Sequence, residues 1–338
     1  SFTNKPFSDP ELPNYHRGAQ YWNGTFWDNS QAPQVPPGTP TTGAKTLYWR
    51  YWWSDHEVGQ GGYRFTKASM GGDFWKSPEQ HLEWCANNGA LYGIGGVMTA
   101  WDDGLISYDG GVSVYPEYLH NLMKAEPVYK DWKWNNIWVP NWNSQLYLDR
   151  WKVLNDTLLK YIRNWKYTPT SGPWAGKLVE GWKLIDFADL RGYGNYGEWH
   201  TWPWGESGAE PTYAKATDST FKKIIDIGAD VWGDYPLMIP VGVFDDNPWG
   251  EGTAFSAYWA MNKKTRYGVV SWRRDNIGDQ GLDNFLIGNT FTYQGWRADT
   301  AILARWKYGM INGEPLNGNG PCCPYFYDVR PEIKNYHY

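Results

Sequence analysis

Two carboxylates stand out for where the sequence puts them. Glu198 comes at the end of LIDFADLRGYGNYGEWH (184–200), an apolar, strand-like run followed by a glycine-rich loop, and it sits between Tyr196, Trp199 and His200. Glu314 ends GMINGEP, a short apolar run after the amphipathic segment 297–308. An acid alone at a predicted strand end, in aromatic surroundings, suits a group that must hold a proton and deliver it to a leaving oxygen. Two such acids suggest glycoside hydrolysis. Carboxyl groups about 5–5.5 Å apart work as acid and nucleophile, and groups about 6.5–9.5 Å apart leave room for an attacking water. Each acid also has a structural reading: Glu198 as the ion-pair partner of a barrel arginine such as Arg191, and Glu314 as part of an ordinary Gly-Glu-Pro turn.

The elements that would carry these acids alternate in type. TLYWRYWW (46–53) reads as the first strand, with Arg50 in its middle as either a substrate-positioning arginine or a salt-bridged interior one. SPEQHLEWCANNG (77–89) reads as a helix capped by Ser77, with Pro78 in its first turn and Gly89 at its end. ALYGIGGVMTA follows as a strand whose small residues suit close packing, ending at Trp101, Asp102 and Asp103. Residues 104–115 read as a loop on the active-site face and 116–126 as a helix. NNIWVPNWN (135–143) reads as a third strand bearing Trp138, Asn141 and Trp142.

The segment 144–165 has the clearest 3.6-residue period, from Leu146 and Leu148 through Trp151, Leu154, Leu158 and Ile162 to Trp165, a core stripe. Strand four is WKLIDFADL. Helices at 211–233 and 254–264, strands at 235–244 and 266–275, and the helix before Glu314 complete seven strand–helix units. That repetition predicts an α/β chain forming a (β/α)8 TIM barrel. A doubly wound sheet is the competitor, without a GxGxxG after the first strand. The eighth strand is the terminal NYHY, is supplied by the N-terminal region, or is lost from this chain. Residues 1–45, rich in Pro, Asn and Gly, are expected as an irregular extension packed on a barrel spanning 46–338.

Composition narrows the ligand. The 338 residues include 25 Trp and 25 Tyr with a net charge of -5, yet mean hydropathy is -0.66 and the pI is near 5.7. Aromatics this dense in a hydrophilic chain are expected partly at a binding surface, where sugar C–H faces pack on indole and phenol rings. No basic run suggests nucleic acid, and no apolar run suggests a membrane span. Cys85, Cys322 and Cys323 form no CxxC; Cys85 is expected as a buried thiol, and one of the adjacent pair as free or in a disulfide. The six histidines are dispersed without HxH or HExxH, so no metal or other cofactor is expected, although calcium on loop carboxylates is compatible. The start SFTNKPF shows no signal peptide and reads as a mature or trimmed N-terminus. The triplets at Asn23 and Asn155 are compatible with secretion, and an extracellular, periplasmic or cell-surface location is expected.

From about Asn14 onward, through NYHRG, the first strand, VPNW, GYGNYGEWH and ARWKYGMINGEP, the chain resembles the large clan of retaining (β/α)8 glycoside hydrolases, nearest to β-galactosidase-like and marine-polysaccharide-hydrolase-like members. The resemblance implies Glu198 as acid/base at the end of strand four and Glu314 as nucleophile at the end of strand seven. It also implies an asparagine before the acid/base; here that position is Gly197, and Asn195 is the candidate substitute. Tyr196, Trp199, Trp202 and Trp204 would be stacking platforms or packing, Trp101 and Trp142 further substrate-binding aromatics, and His200 a tuning or hydroxyl-binding group. Arg273 and Arg274 would meet an anionic substituent, with Asp275 beside them as a further substrate-binding candidate, or the three would form an ion-pair cluster with Asp279. The expected ligand is a β-linked polysaccharide or oligosaccharide, with a galactan or an acidic or sulfated glycan among the candidates. The alternative is a non-catalytic extracellular glycan-binding or structural protein on the same barrel.

Overall fold

The computed structural model describes residues 19–22, 44–98, 106–127, 133–134, 136–194, 197, 216–235, 237–240, 263, 265, 271–277 and 311–315. Their frame is one seven-stranded sheet: β1 (Ala19–Trp22), β2 (Ala44–Trp52), β3 (Leu91–Met98), β4 (Ile185–Asp189), β5 (Leu237–Pro240), β6 (Ser271–Ile277) and β7 (Ile311–Pro315). Every pairing is parallel and each strand pairs with the next along the chain. A doubly wound sheet would reverse its order at a switch point; this one does not. Among the described residues the pairings run from β1 to β7 without joining the ends.

The stretch expected as an irregular extension therefore supplies a strand, β1, which pairs with β2 from Ala19↔Ala44 to Trp22↔Tyr48. The strand expected at 135–143 is corrected. Among its described residues only Ile137–Trp138 form a strand, in a separate four-stranded sheet with Ile106–Tyr108, Gly111–Ser113 and Lys133–Trp134. Pro140 lacks the N–H that a central strand needs. Trp138 instead turns its indole onto the Tyr108 carbonyl at 3.2 Å, over Gly111, where an added Cβ would lie 2.5 Å from Nε1. Likewise the loop expected at 104–115 is a hairpin. Asp109 (φ 48) and Gly110 (φ 67) form its two-residue turn, both in the left-handed region that such a turn demands.

The helices follow their signals. α1 (Pro78–Asn88) starts on the Ser77 hydroxyl, which accepts from the Gln80 N–H at 3.1 Å, and ends at Gly89 with φ 66. Cys85 is wholly buried on it, donates to the Leu91 carbonyl at 3.3 Å, and has its thiol pKa pushed up by burial. α2 is Glu117–Lys124. α3 (Gln145–Asn164), capped by Ser144, buries Leu148, Trp151, Leu154, Leu158 and Ile162 as its period requires. α4 (Asp218–Trp232), capped by Thr217, packs against it. No described helix is long and apolar enough to cross a membrane. Apart from residue 263, the helices expected at 254–264 and 297–308, the terminal NYHY and Cys322 and Cys323 lie outside the described residues.

Where α3 meets α4, Asn155 is only 2 % exposed; its amide donates to the Trp151 carbonyl and accepts from the Trp232 indole at 3.0 Å. The triplet at Asn155 is therefore not a glycosylation acceptor in the folded protein. Asn155→Ala strands the buried indole N–H and is expected to cost about 1–3 kcal/mol, read as a lower urea midpoint.

Candidate active site

Alternation along the strands decides what faces the site. Trp49 and Tyr51 of β2 and Tyr92 of β3 meet His81 on α1. Arg50, between them, projects from the opposite face. That face is crowded. A Cβ on Gly95 would fall 2.5 Å from the Trp49 carbonyl and 2.8 Å from Arg50 Cγ, and one on Gly93 would fall 2.5 Å from the Phe187 ring. The small residues of β3 are thus spaces filled by Arg50 and Phe187. Arg50 is half-buried on this face.

β4 is buried along its whole length, as a strand covered on both faces must be. At its end Asp189 and Arg191, two apart on an extended chain and both wholly buried, pair through Nε at 3.1 Å and Nη2 at 3.0 Å to one carboxylate oxygen. Asp189 is thus an ion-pair partner of Arg191.

The glycine-rich loop beyond is held from several sides. Tyr147 of α3 donates its hydroxyl to the Gly192 carbonyl at 2.5 Å, and the Trp151 ring lies where a Cβ on Gly192 would go. Tyr193 sits edge-on between Trp142 (4.8 Å) and Phe221 (5.1 Å). The Gly197 N–H then closes a turn on the Gly194 carbonyl at 3.1 Å. At Gly197 φ is +67, and an added Cβ would lie 2.6 Å from Arg191 Cβ and 2.7 Å from its carbonyl. Glycine suits the position before Glu198 because the left-handed conformation disfavours most side chains and the space beside Arg191 admits no Cβ.

Trp142 is corrected. It is 0 % exposed and braces Tyr193, so it is a support for this loop and no stacking platform. Trp101, Asn195, Tyr196, Glu198, Trp199, His200, Trp202 and Trp204 lie outside the described residues. For Glu314, Arg273 and Asp275 the backbone gives places. Glu314 is the fourth of the five residues of β7, and Asn312 and Gly313 pair with Arg273 and Arg274 of β6. Asp275 falls within the register shift between Arg274 and Ile277. Glu314 and Asp275 lie in the carboxyl-terminal halves of their strands, toward the edge from which β4 leads to Glu198, and Arg273 is the third of the seven residues of β6.

The loop after β2 adds a network that spacing alone does not announce. Glu57, 0 % exposed, accepts from the Trp53 indole at 2.7 Å, the Gly61 N–H at 2.9 Å and Arg150 of α3 at 2.7 Å. Arg150 also donates to the Tyr118 hydroxyl of α2 at 3.2 Å, and burial pushes that phenol's pKa up. Removing one partner of a buried pair leaves the other's charge uncompensated. Glu57→Ala is expected to destabilise the protein by about 3–5 kcal/mol in denaturant unfolding, with Glu57→Gln milder. Further along this loop, the Lys76 ammonium lies 5.0 Å from the Trp52 ring and 5.3 Å from Trp75, and pairs with Asp55 at 3.2 Å. Burial nevertheless raises the Asp55 pKa.

Among the described residues no group of three or more His, Cys, Asp or Glu is arranged to hold a metal. His56, His81 and His120 are buried and hydrogen-bonded.

No protein-family model matches the chain, and no curated protein matches it. Similar solved structures include endo-glycoceramidase II from Rhodococcus sp. in several states. Its complex with a cellobiose-like imidazole is 13 % identical, covers 95 % of this chain and 79 % of that one, and has a TM-score of 0.35. Its complex with a five-membered iminocyclitol is 12 % identical over the same shares, with a TM-score of 0.37. Its lactosyl-enzyme intermediate is 14 % identical, covers 87 % and 70 %, and has a TM-score of 0.38. Likenesses this distant assign neither fold nor activity.

Proposed function

We propose that the chain is a retaining glycoside hydrolase built on a (β/α)8 barrel, with Glu198 as acid/base and Glu314 as nucleophile. One observation carries this reading: an all-parallel sheet in sequential order whose fourth strand leads into the Glu198 loop and whose seventh carries Glu314 toward the same edge. Such an edge is where barrel enzymes gather catalytic groups from different strands. Glu314 attacks the anomeric carbon while Glu198 protonates the departing oxygen; Glu198, now a base, activates the water that releases the sugar with retention. A neighbouring negative carboxylate and aromatic surroundings would keep Glu198 protonated near neutral pH.

The substrate is a β-linked polysaccharide or oligosaccharide met outside the cell. The two arginines of β6 favour an acidic or sulfated glycan, and a galactan is included among the candidates. Asn195 and Tyr196 would approach the sugar from the loop, Trp101, Trp199 and Trp202 would stack on it, and His200 would bind a hydroxyl.

The test is hydrolysis of neutral and sulfated galactans, β-glucans and mannans, with the anomer of the first product read by NMR. Glu198→Gln and Glu314→Gln are each expected to lower turnover by on the order of 10²–10⁴-fold or more. Binding without turnover, unchanged in both variants, would replace the enzyme with a glycan-binding barrel.

A further inference from the structure

Trp182 and Lys183, expected within strand four, instead lie in the tight turn Gly181–Lys183 just before it. The turn is fixed at both ends. Gly181 donates its N–H to the Trp165 carbonyl at 2.9 Å and accepts from the Leu184 N–H at 3.0 Å, and a Cβ added to it would lie 2.3 Å from the Ile162 carbonyl of α3. With Gly181 pressed onto the helix, Trp182 is turned outward and is 45 % exposed, whereas Trp53, Trp138, Trp142, Trp151 and Trp232 are buried.

Its neighbours are charged. The turn follows a two-stranded antiparallel hairpin in which Lys166 pairs with Glu180 and Tyr167 with Val179. Val179 is buried, so alternation turns Leu178, Glu180 and the paired Lys166 toward solvent. Glu180 binds the Lys183 ammonium at 2.8 Å, and that ammonium lies 5.1 Å from the centre of the Trp182 ring. Lys183 above all, with Lys166 and a hydrogen bond from the Trp182 indole adding to it, holds the Glu180 carboxyl below its ordinary range. The indole N–H is thus engaged, and what the ring has left to offer is apolar surface.

The patch therefore combines one apolar platform, two ammoniums and one carboxylate. Protein interfaces gather several aromatic anchors and shed Lys and Glu from their centres, so this composition does not suit one. A sugar ring fits it, with a C–H face on the indole and its hydroxyls on the carboxylate and ammoniums. Two lysines against one glutamate leave local positive charge on a chain whose net charge is -5, which favours an anionic substituent on that sugar.

We infer that Trp182, with Lys183, Lys166 and Glu180, forms a secondary binding site for an anionic glycan chain at the amino-terminal edge of the sheet. The turn leads directly into β4, whose far end leads to Glu198, so this patch and the proposed hydrolytic site lie at opposite edges. It holds the polymer and takes no part in bond cleavage. The ligand class rests on the proposed function; the position of the patch does not.

The test is affinity electrophoresis through gels containing a sulfated galactan or the same polymer after chemical desulfation. The sulfated polymer is expected to retard the parent protein, and the desulfated one to do so several-fold less. Trp182→Ala is expected to lose most of the retardation and Trp182→Phe, which keeps a ring, to retain part of it. Both variants should keep the parent's urea midpoint, because the side chain is exposed, and Trp182→Ala should turn over a short soluble sulfated oligosaccharide at the parent's rate. Undiminished retardation of Trp182→Ala, no retardation of the parent, or equal retardation with and without sulfate would overturn the inference. So would slower turnover of the short substrate by Trp182→Ala, which would make the residue part of the hydrolytic site. A parent that cleaves nothing sinks the glycosidase reading, while the retardation series still decides this one.

Discussion

Gly197→Asn, which restores the residue type found before the acid/base in the clan the sequence resembles, is expected to weaken the protein and slow hydrolysis on the order of 10²-fold. Asparagine tolerates φ near +67 better than other side chains do. The obstacle is space: the new Cβ would press on Arg191, whose partner Asp189 is wholly buried and holds it in place. Overpacking of this kind costs about 1–3 kcal/mol. Gly197→Ala meets the same contact and adds strain of about 1–3 kcal/mol from its conformation. Alanine should therefore be the worse of the two in unfolding experiments, and both should displace Glu198, the next residue. Under the proposed mechanism a shift of about 1 Å there is worth on the order of 10²-fold in rate. An asparagine variant with the parent's stability and turnover would mean that Arg191 yields freely, and that Gly197 is incidental.

Acidification from pH 7.5 to 5 is expected to remove several kcal/mol of stability through His56 and His81. Both imidazoles are wholly buried, and burial lowers each pKa from 6.5 to about 3. Lys76 and Arg64 depress His56 further, and His56 depresses His81, while backbone carbonyls oppose the shift without reversing it. The unfolded chain takes up these protons below pH 6.5 and the folded chain does not, so the stabilisation is whole above pH 6.5 and is lost as pH falls from there toward 3. At pH 5 the loss is about 2 kcal/mol for each histidine. Asp55 works the other way, since its raised pKa makes the folded state the better proton acceptor in acid. Urea unfolding across this range checks the slope. The pair His56→Gln and His81→Gln should flatten it even though the variants start less stable, and an unaltered slope would remove these groups from the account.

Much of the frame could be read directly because it rests on local chemistry. Ser77, Pro78 and Gly89 bracket α1 as their individual backbone preferences dictate, and the stripe on α3 is buried at the spacing of one helical face. The strand expected at 135–143 was misplaced because a short apolar run looks alike in any sheet; its position was settled by Trp138 finding Gly111 and Tyr108, about thirty residues back. β1 was hidden because four residues within a Pro-rich stretch carry no period, and pairing with β2 alone defines it.

At the site, the GYGNYGEWH loop announced itself through its glycines, but the meaning of Gly197 depends on Arg191, whose burial no pattern reveals. Asp189 and Arg191 did carry a signal: opposite charges two apart at a strand end share one face. Trp142 was read as a platform because tryptophan at a strand end serves sugar binding and packing equally well, and only its burial separates the two.

β1 also bears on how the chain can be handled. β2 is nine residues long, and β1 pairs along the part of it from Ala44 to Tyr48. Trimming the first 43 residues as though they were a dispensable leader would bare that stretch's unpaired N–H and C=O groups, a template on which further copies can add. The shortened protein would be expected to fail by self-association before it failed by unfolding, with light scattering rising at temperatures where the full chain remains clear.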